Sequence, residues 1–442
     1  MNVDLLLDKL IDLEKKEKSK YFSIDNINYW PIIRTTYVSF NSSLIRFFKK
    51  KKEYSIIYFI TNLKNILGFF FLKTPNIFLA YKDDESAIFR YKKERLHKQH
   101  ESLKFSNKID KKITLIEIGN PFISKTFSKS HDLSLNIAFL YFFFSILYHF
   151  KKNKIKKYLS KIIDTEFSFP LALKLKIIDN SIEFYIKKEV YRLIFLVKKP
   201  QTVFIKSFNN INSFAAIYSA NILGIRTVEY QHGQQGSNSL TYSNWNSIPL
   251  AGYNMIPKFF WIWENTFKDK LDKWISKQNY HELQVFKNYW PDVYKTNYSK
   301  EYPNKNLKQK FTILYCMQVP EIDQLIIDSM LQLKNIRWYV RLHPRTVDKN
   351  YNKIYEQLSH LNIDFDLKYS NFNVFEDVLN KSDILITSWS TTAYESYIFG
   401  KKTIIINTIG YNAFKKFIDE GKMNYASSLK QLCKLINQIR NN

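Results

Sequence analysis

Between Ser382 and Asn407 the sequence reads SDILITSWSTTAYESYIFGKKTIIIN, two short apolar runs held apart by one turn and one helix-length segment. Asp383 to Thr387 and Thr403 to Asn407 are too short for ordinary helices and show no alternation. That is the pattern of strands buried on both faces of a parallel sheet. Ala393 to Phe399 has helical length, and Gly400 with two lysines closes it. Parallel neighbours need a crossover, so a layered α/β fold follows. Ser388, Ser390, Thr391 and Thr392 crowd the turn that enters the helix. Hydroxyls, free backbone N–H groups and the positive end of a helix dipole are the parts that hold a phosphate. Glu395 lies about one helical turn further on, where a carboxylate accepts hydrogen bonds from ribose hydroxyls. The same residues also suit a plain N-capped crossover between two core strands.

A second constellation supports the phosphate reading. Thr202 to Lys206 and Arg226 to Tyr230 are strand-like, and the latter runs directly into Gln231-His232-Gly233-Gln234-Gln235-Gly236. Open α/β sheets place ligands at the carboxyl ends of their strands, where this turn falls. An imidazole there suits a general base that takes a proton from an acceptor hydroxyl, a role worth about two to four orders of magnitude in rate. Glu229 and Glu117, each near a strand end, are the alternative bases if burial raises their pKa. From Phe311 a second alternating pattern begins, and its strand Arg337 to Arg341 ends in Leu342-His343-Pro344-Arg345. Arg341 and Arg345 bracket His343, and guanidinium groups bind phosphate oxygens in pairs. Pro344 fixes the turn so that His343 points out of the sheet.

Other features bound the function class. Lys and Arg number 67 against 40 Asp and Glu, a formal charge of +27 that suits anionic partners. No RNA-binding or helix-turn-helix signature accompanies that charge, so a specific nucleic-acid partner is not expected. Gly-x-Gly-x-x-Gly and Walker loops are lacking, which argues against dinucleotide and P-loop enzymes. Asp364-Phe365-Asp366 looks like a metal-binding Asp-x-Asp, but alternation in Ile363-Phe365-Leu367 turns both aspartates to water. No metal is expected. Two cysteines, Cys316 and Cys433, fit a reducing cytoplasm, and residues 1–18 read as a charged amphipathic helix instead of a signal peptide. The most apolar windows are 54–72 and 133–150. The second precedes KKNKIKK and reads as a buried or interfacial helix whose basic tail touches anionic lipid, not as a span. Trp30-Pro31 and Arg34 open a helix by packing, and the charged stretch from Lys82 to Lys104, with Arg90, Arg95 and His97, reads as a solvated loop that could also touch an acceptor.

With its His-Gly, His-Pro and Ser/Thr turns, the chain resembles the GT-B glycosyltransferases of bacterial capsule and lipopolysaccharide synthesis. Sialyl- and Kdo-transferases belong there, as do the CDP-glycerol glycerophosphotransferases of teichoic acid synthesis. The resemblance covers roughly residues 200 to 410. It implies an α/β fold of two Rossmann-like domains with a cleft between them, no cofactor beyond a nucleotide-sugar co-substrate, and metal-independent inversion. It implies His232 as base, with Gly233, Arg341, His343, Pro344, Arg345, Ser388, Ser390, Thr391, Thr392 and Glu395 on the donor. Domains are expected at 1–257 for a glycan or lipid-linked acceptor and 311–442 for the donor, with 258–310 connecting them. The protein is expected in the cytoplasm or on the inner face of the cell membrane. Gln234-Gln235 stands where the glycerophosphotransferases carry Thr-Pro, and the acidic motif of several sialyltransferases is not evident. Glycerol-phosphate or ribitol-phosphate transfer, sugar-nucleotide epimerisation and nucleic-acid binding therefore stay open as alternatives.

Overall fold

Short apolar runs become strands covered on both faces. A computed structural model describes residues 3–15, 22–41, 74–82, 87–106, 109, 112–120, 127–128, 130–167, 169–233, 235, 240–243, 245–246, 248–299, 310–344 and 346–441. They fall into two units: Met1–Ile88 with Lys93–Asn288, and Phe89–Lys92 with Tyr289–Asn442.

The first unit holds a seven-stranded sheet of β1 (Asn76–Tyr81), β2 (Ile113–Ile118), β3 (His131–Asp132), β4 (Thr202–Ile205), β5 (Arg226–Tyr230), β6 (Phe259–Ile262) and β7 (Glu282–Val285). Every pairing is parallel, in the order β7-β6-β5-β4-β1-β2-β3. The chain builds outward from β1 to β3, then returns past β1 to lay down β4 to β7. The ligand crevice of such a sheet opens where the direction reverses, between β1 and β4. Helices α1 (Val3–Lys15), α2 (Trp30–Asn41), α3 (Ser134–Leu147), α4 (His149–Glu166), α5 (Leu171–Lys198) and α6 (Ile211–Ile222) belong to this unit. The long α5 packs on α6, where Ser219 Oγ donates to the Lys188 carbonyl at 2.6 Å.

The second unit repeats the plan with β8 (Thr312–Cys316), β9 (Arg337–Arg341), β10 (Phe365–Asp366), β11 (Ile384–Thr387), β12 (Lys402–Ile405) and β13 (Asn424–Tyr425). The order is β10-β9-β8-β11-β12-β13, again all parallel, and the reversal lies between β8 and β11. Its helices include α7 (Val347–Ser359), α8 (Lys368–Phe372), α9 (Thr392–Ile398) and α10 (Thr408–Asp419). Ile313, Trp338, Val340, Ile384, Ile386 and Ile404 belong to one buried cluster. Two doubly wound α/β units are thus present, as the sequence led one to expect.

Three expectations change. The segment expected to connect domains from residue 258 supplies β6 and β7, so the first sheet runs on to Val285. Part of the charged stretch after β1 is ordered into a strand, Glu94–His97, and a helix, Lys98–Phe105. His97 is buried there: Nδ1 accepts the His100 N–H at 3.4 Å and the ring packs 4.7 Å from Phe78. The 133–150 window, expected as a buried or interfacial helix, is helical with one face covered. Among the described residues no helix is long and apolar enough to cross a membrane, and 54–72 lies outside them. Asp364 and Asp366 are half-buried instead of facing water. They pair with Lys310 at 2.8 Å and Arg337 at 3.2 Å, and Asp366 also accepts the Tyr369 N–H.

Arg34 is a brace. Its guanidinium is buried against Glu14, donates to the carbonyls of Leu240 (2.8 Å) and Ser243 (2.6 Å), and lies over the Trp245 ring. Glu14 also accepts the Asn246 N–H at 2.7 Å. Helices α1 and α2 thereby fix residues 240–246, which follow the His232 turn. Removing one partner of a buried pair leaves the other charge uncompensated, a cost of roughly 3–5 kcal/mol. Arg34→Met is therefore expected to lower unfolding stability by about that amount in urea titration; a loss under about 1 kcal/mol would contradict the bracing role.

Candidate active site

In the second unit, Ser388 follows β11 at the reversal beside β8. Ser388 and Ser390 are buried, and Ser390 Oγ accepts the Thr392 N–H at 3.2 Å as the turn enters α9. Thr391, Thr392 and Glu395 are half-buried. His343 stands two residues beyond β9, half-buried, and its carbonyl accepts both the N–H (2.8 Å) and Oγ1 (2.9 Å) of Thr346. Pro344 is exposed, and Arg345 lies outside the described residues. The sheet therefore brings the His-Pro turn and the Ser/Thr turn to one edge, at the ends of β9 and β11 with β8 between them.

Arg341 behaves differently from a free phosphate ligand. Its Nη1 donates to the carbonyls of Ser370 and, at 3.0 Å, Asn373. Burial lowers its pKa, and the negative charges of Glu376 and Glu395 oppose that shift. Its guanidinium ties β9 to the end of α8. Residues the sequence reasoning missed finish the job: Asn371 Oδ1 accepts the Leu342 N–H at 2.8 Å, its Nδ2 donates to the Val340 carbonyl at 2.8 Å, and Ser370 Oγ donates to the same carbonyl at 2.6 Å. Behind the Ser/Thr turn, Gly410 in α10 comes so close that a Cβ there would stand 1.8 Å from the Ser388 carbonyl oxygen. No sequence signal marked Asn371 or Gly410, because neither contact is local.

In the first unit, His232 is half-buried beyond β5 and Gly233 is buried. Gln231 was the missed residue here. Its Oε1 accepts the Trp263 N–H at 2.7 Å and its Nε2 donates to the Gly233 carbonyl at 2.9 Å, bracing the turn against the end of β6. Glu229 is buried, with Oε1 accepting from Tyr242 Oη and Gln235 Nε2 at 2.6 Å each and Oε2 accepting the Phe208 N–H at 3.1 Å. Burial pushes its pKa up to about 8, against the pull of those three donors. Glu117 is equally buried and accepts from the Phe127 N–H at 2.9 Å and from Ser130 Oγ, tying residues 127–130 to β2. A cavity of about 480 Å³ lies over the carboxyl ends of β1 and β2, lined by Tyr81, Lys82, Asn120, Tyr141 and Asn212 among others. A second, of about 370 Å³, lies by the amino ends of β1, β4 and β5 and the carboxyl end of β7, and no candidate residue lines it. Among the described residues no group of His, Cys, Asp and Glu has the arrangement of a metal site.

No family model matches the chain, and no curated protein sequence matches it. Solved structures similar to it include a UDP-GlcNAc 2-epimerase from Neisseria meningitidis bound to UDP-GlcNAc, 12% identical with TM-score 0.48 over 84% of this chain and 92% of that one. The wall teichoic acid polymerase TagF is 11% identical, with TM-score 0.42 over 88% and 90%. MurG from Acinetobacter baumannii is 10% identical, with TM-score 0.35 over 59% and 69%.

Two outcomes follow from this geometry. Gly410→Ala must displace backbone, so it is expected to cost on the order of 1–3 kcal/mol. Gly421, at φ +69° with open space around its Cβ, should lose only about 1 kcal/mol as Gly421→Ala. Thermal denaturation of the two variants decides, and equal losses would refute the close-approach account. Glu229 titrates near 8 when folded against an ordinary value of 4.5, so the native chain holds its proton more tightly. The resulting stability is complete below about pH 4.5 and is lost as pH rises through about 8, on the order of 5 kcal/mol in all. Wild-type stability should therefore fall across this window in urea titrations, and Glu229→Gln should flatten the slope. An unchanged slope in the variant would place the titrating group elsewhere.

Proposed function

We propose that this protein is a metal-independent, inverting glycosyltransferase of the GT-B type. It would move a sugar from a nucleotide-activated donor, CMP-linked sugars being the first to test, to a cell-surface polysaccharide or lipid-linked acceptor. The observation that carries the reading is the position of the Ser388–Thr392 turn at the point where the second sheet reverses direction, one strand from the His343 turn. Crevices at such points bind nucleotides in doubly wound sheets. Its motifs also carry the resemblance to capsule, lipopolysaccharide and teichoic acid transferases.

In this reading Ser388, Ser390, Thr391 and Thr392 bind the donor's phosphate together with His343, and Glu395 takes the ribose. Arg345 adds charge, while Arg341 and Pro344 shape the His343 turn. Donors aimed at the leaving phosphate stabilise the charge that develops on it as the glycosidic bond breaks. His232, set by Gly233 and Gln231, takes the acceptor's proton. The assignment goes to His232 because Glu229 and Glu117 are buried at 1% and 0% exposure and spend their oxygens on internal donors. Displacement from the face opposite the nucleotide inverts the anomeric centre. Working on acceptors assembled inside the cell would keep the protein in the cytoplasm or at the inner membrane face.

The test is thermal stabilisation and donor hydrolysis with CMP-, UDP- and GDP-sugars and CDP-glycerol, each with and without acceptor glycan. A nucleotide-sugar is expected to raise the melting temperature of the wild type, and His343→Ala should weaken that response at least about ten-fold, since charge-assisted bonds to phosphate are worth roughly 1.5–3 kcal/mol. A response to CDP-glycerol alone would move the assignment to glycerophosphate transfer, and turnover of the sugar-nucleotide without acceptor to epimerisation. No response to any nucleotide, or an undiminished one in the variant, would end the donor-site reading.

A further inference from the structure

Helix α3 meets two environments. Ser134, Asn136 and Ile137 are buried, and Ile137, Ala138 and Tyr141 line the cavity over β1 and β2. The other side is bare: Phe139 is 66% exposed, Phe142 65%, Phe143 49%, Ile146 61% and Leu147 58%, with Phe150 at 86% just beyond. Steps of three and one put the five on α3 in a single helical stripe. Tyr148, at φ −97° and ψ +24°, interrupts the helix, while its N–H bonds to the Phe144 carbonyl at 2.9 Å and its carbonyl accepts the Lys152 N–H at 3.0 Å, so α4 starts directly at the end of the stripe. Single exposed apolar side chains are ordinary on any surface, but a row of five on one helix marks an interaction face.

Charge says what the face meets. Lys151, Lys152, Lys154, Lys156, Lys157 and Lys161 follow the stripe along α4, with Asp164 and Glu166 only at its far end. Lys151 and Lys154 reach the single carboxylate of Asp25, at 2.9 and 3.5 Å, while Lys156, Lys157 and Lys161 are exposed. Pairing two copies of this face with their helices parallel sets these like charges against each other, and pairing them antiparallel leaves the lysines without an anionic partner. An anionic bilayer satisfies both halves: phenylalanines enter the acyl boundary and lysines sit among the lipid phosphates. With 14 residues α3 is too short to span, and it fits a helix lying in the plane of the interface.

We propose that α3 and the first turns of α4 seat the first unit on an anionic lipid bilayer. The cavity over β1 and β2 then lies against the inner side of the same helix, so a lipid-anchored acceptor reaches it without leaving the membrane. The docking surface itself stands apart from the transferase reading, since vesicle binding needs no donor and no turnover.

Flotation of the full-length protein with phosphatidylcholine vesicles, and with vesicles containing 30% phosphatidylglycerol, provides the test. Binding to the anionic vesicles is expected to exceed binding to neutral ones at least about ten-fold and to weaken with salt. Phe139→Ser/Phe142→Ser/Phe143→Ser should lose at least about ten-fold in affinity. Lys156→Glu/Lys157→Glu, which leaves the apolar stripe intact, should lose a similar factor on anionic vesicles only. Melting temperatures of both variants near the wild-type value exclude unfolding as the cause, and the lysine variant carries the test if the triple one does not fold. No binding by the wild type, equal binding to both vesicles, or undiminished binding by both variants overturns the proposal. So does a stable dimer in light scattering that the phenylalanine variant splits while vesicles stay unbound.

Discussion

Parallel pairing is the constraint on which the rest of this molecule depends. Strands that run the same way all finish at one edge, and each connection must cross back before the next begins. In both units the first strand of the sheet becomes a central one, because β1 and β8 are largely apolar, buried along nearly their whole length, and need cover on both faces. The chain then has to add strands on one side and return to the other. That return opens a crevice at the carboxyl edge without any residue being chosen to make it. Ser388 follows directly on a strand that ends at that edge of its sheet, and His232 and His343 each stand two residues beyond the end of theirs.

What holds these three turns is a layer of polar side chains just behind. Gln231, Asn371 and Ser370 each satisfy backbone groups that the sheet leaves over at its edge, and buried polar groups are costly unless so paired. Arg341 shows the consequence for reading a motif. Bracketing a histidine with arginines suggests an anion cluster, yet the guanidinium at 341 is committed to the carbonyls of Ser370 and Asn373. An arginine with five donors can serve a loop and a ligand at once, but its burial and its tie to α8 make shape its first duty. Gly410 acts in the opposite way, by presenting nothing where the Ser388 carbonyl needs room.

Local signals carried the strands and the positions of the three turns, since apolar runs, Gly, Pro and clustered hydroxyls are all properties of neighbours in sequence. What failed to show was tertiary. Residues 258–310 were expected to connect the domains, yet Phe259–Ile262 belongs to the first sheet, where its burial depends on β5 and β7, and Glu282–Val285 is an edge strand with two exposed ends and no apolar run to announce it. His97 looked solvated amid charges, but Phe78 and Phe127 sandwich it from elsewhere in the chain. For residues 133–150, a hydropathy window adds up apolar content and says nothing of direction. Burial of one face and exposure of the other became visible only with α3 in place. Gly410 sits in an otherwise ordinary helical sequence, and only the approach of Ser388 gives it meaning.

Desolvation finally separates the acid–base candidates at the end of β5. Three donors point at Glu229, an arrangement that ordinarily holds a carboxylate ionised, yet burial outweighs them and keeps the proton on. A protonated carboxyl must donate, and neither the Phe208 N–H nor the Gln235 amide nitrogen can accept. Two acceptors remain. Gln235 Oε1 is buried without a partner, and rotating that amide turns it toward Glu229. Tyr242 Oη can also accept if its own proton turns to Ser207 Oγ, 3.2 Å away. Either way the Glu229 proton is held inside a closed polar cluster, so the carboxyl fixes the segment that carries Tyr242 and cannot readily exchange with an acceptor hydroxyl. The half-buried imidazole of His232, three residues on and beyond the last backbone pair of the strand, is the group to which the proposed function gives that exchange.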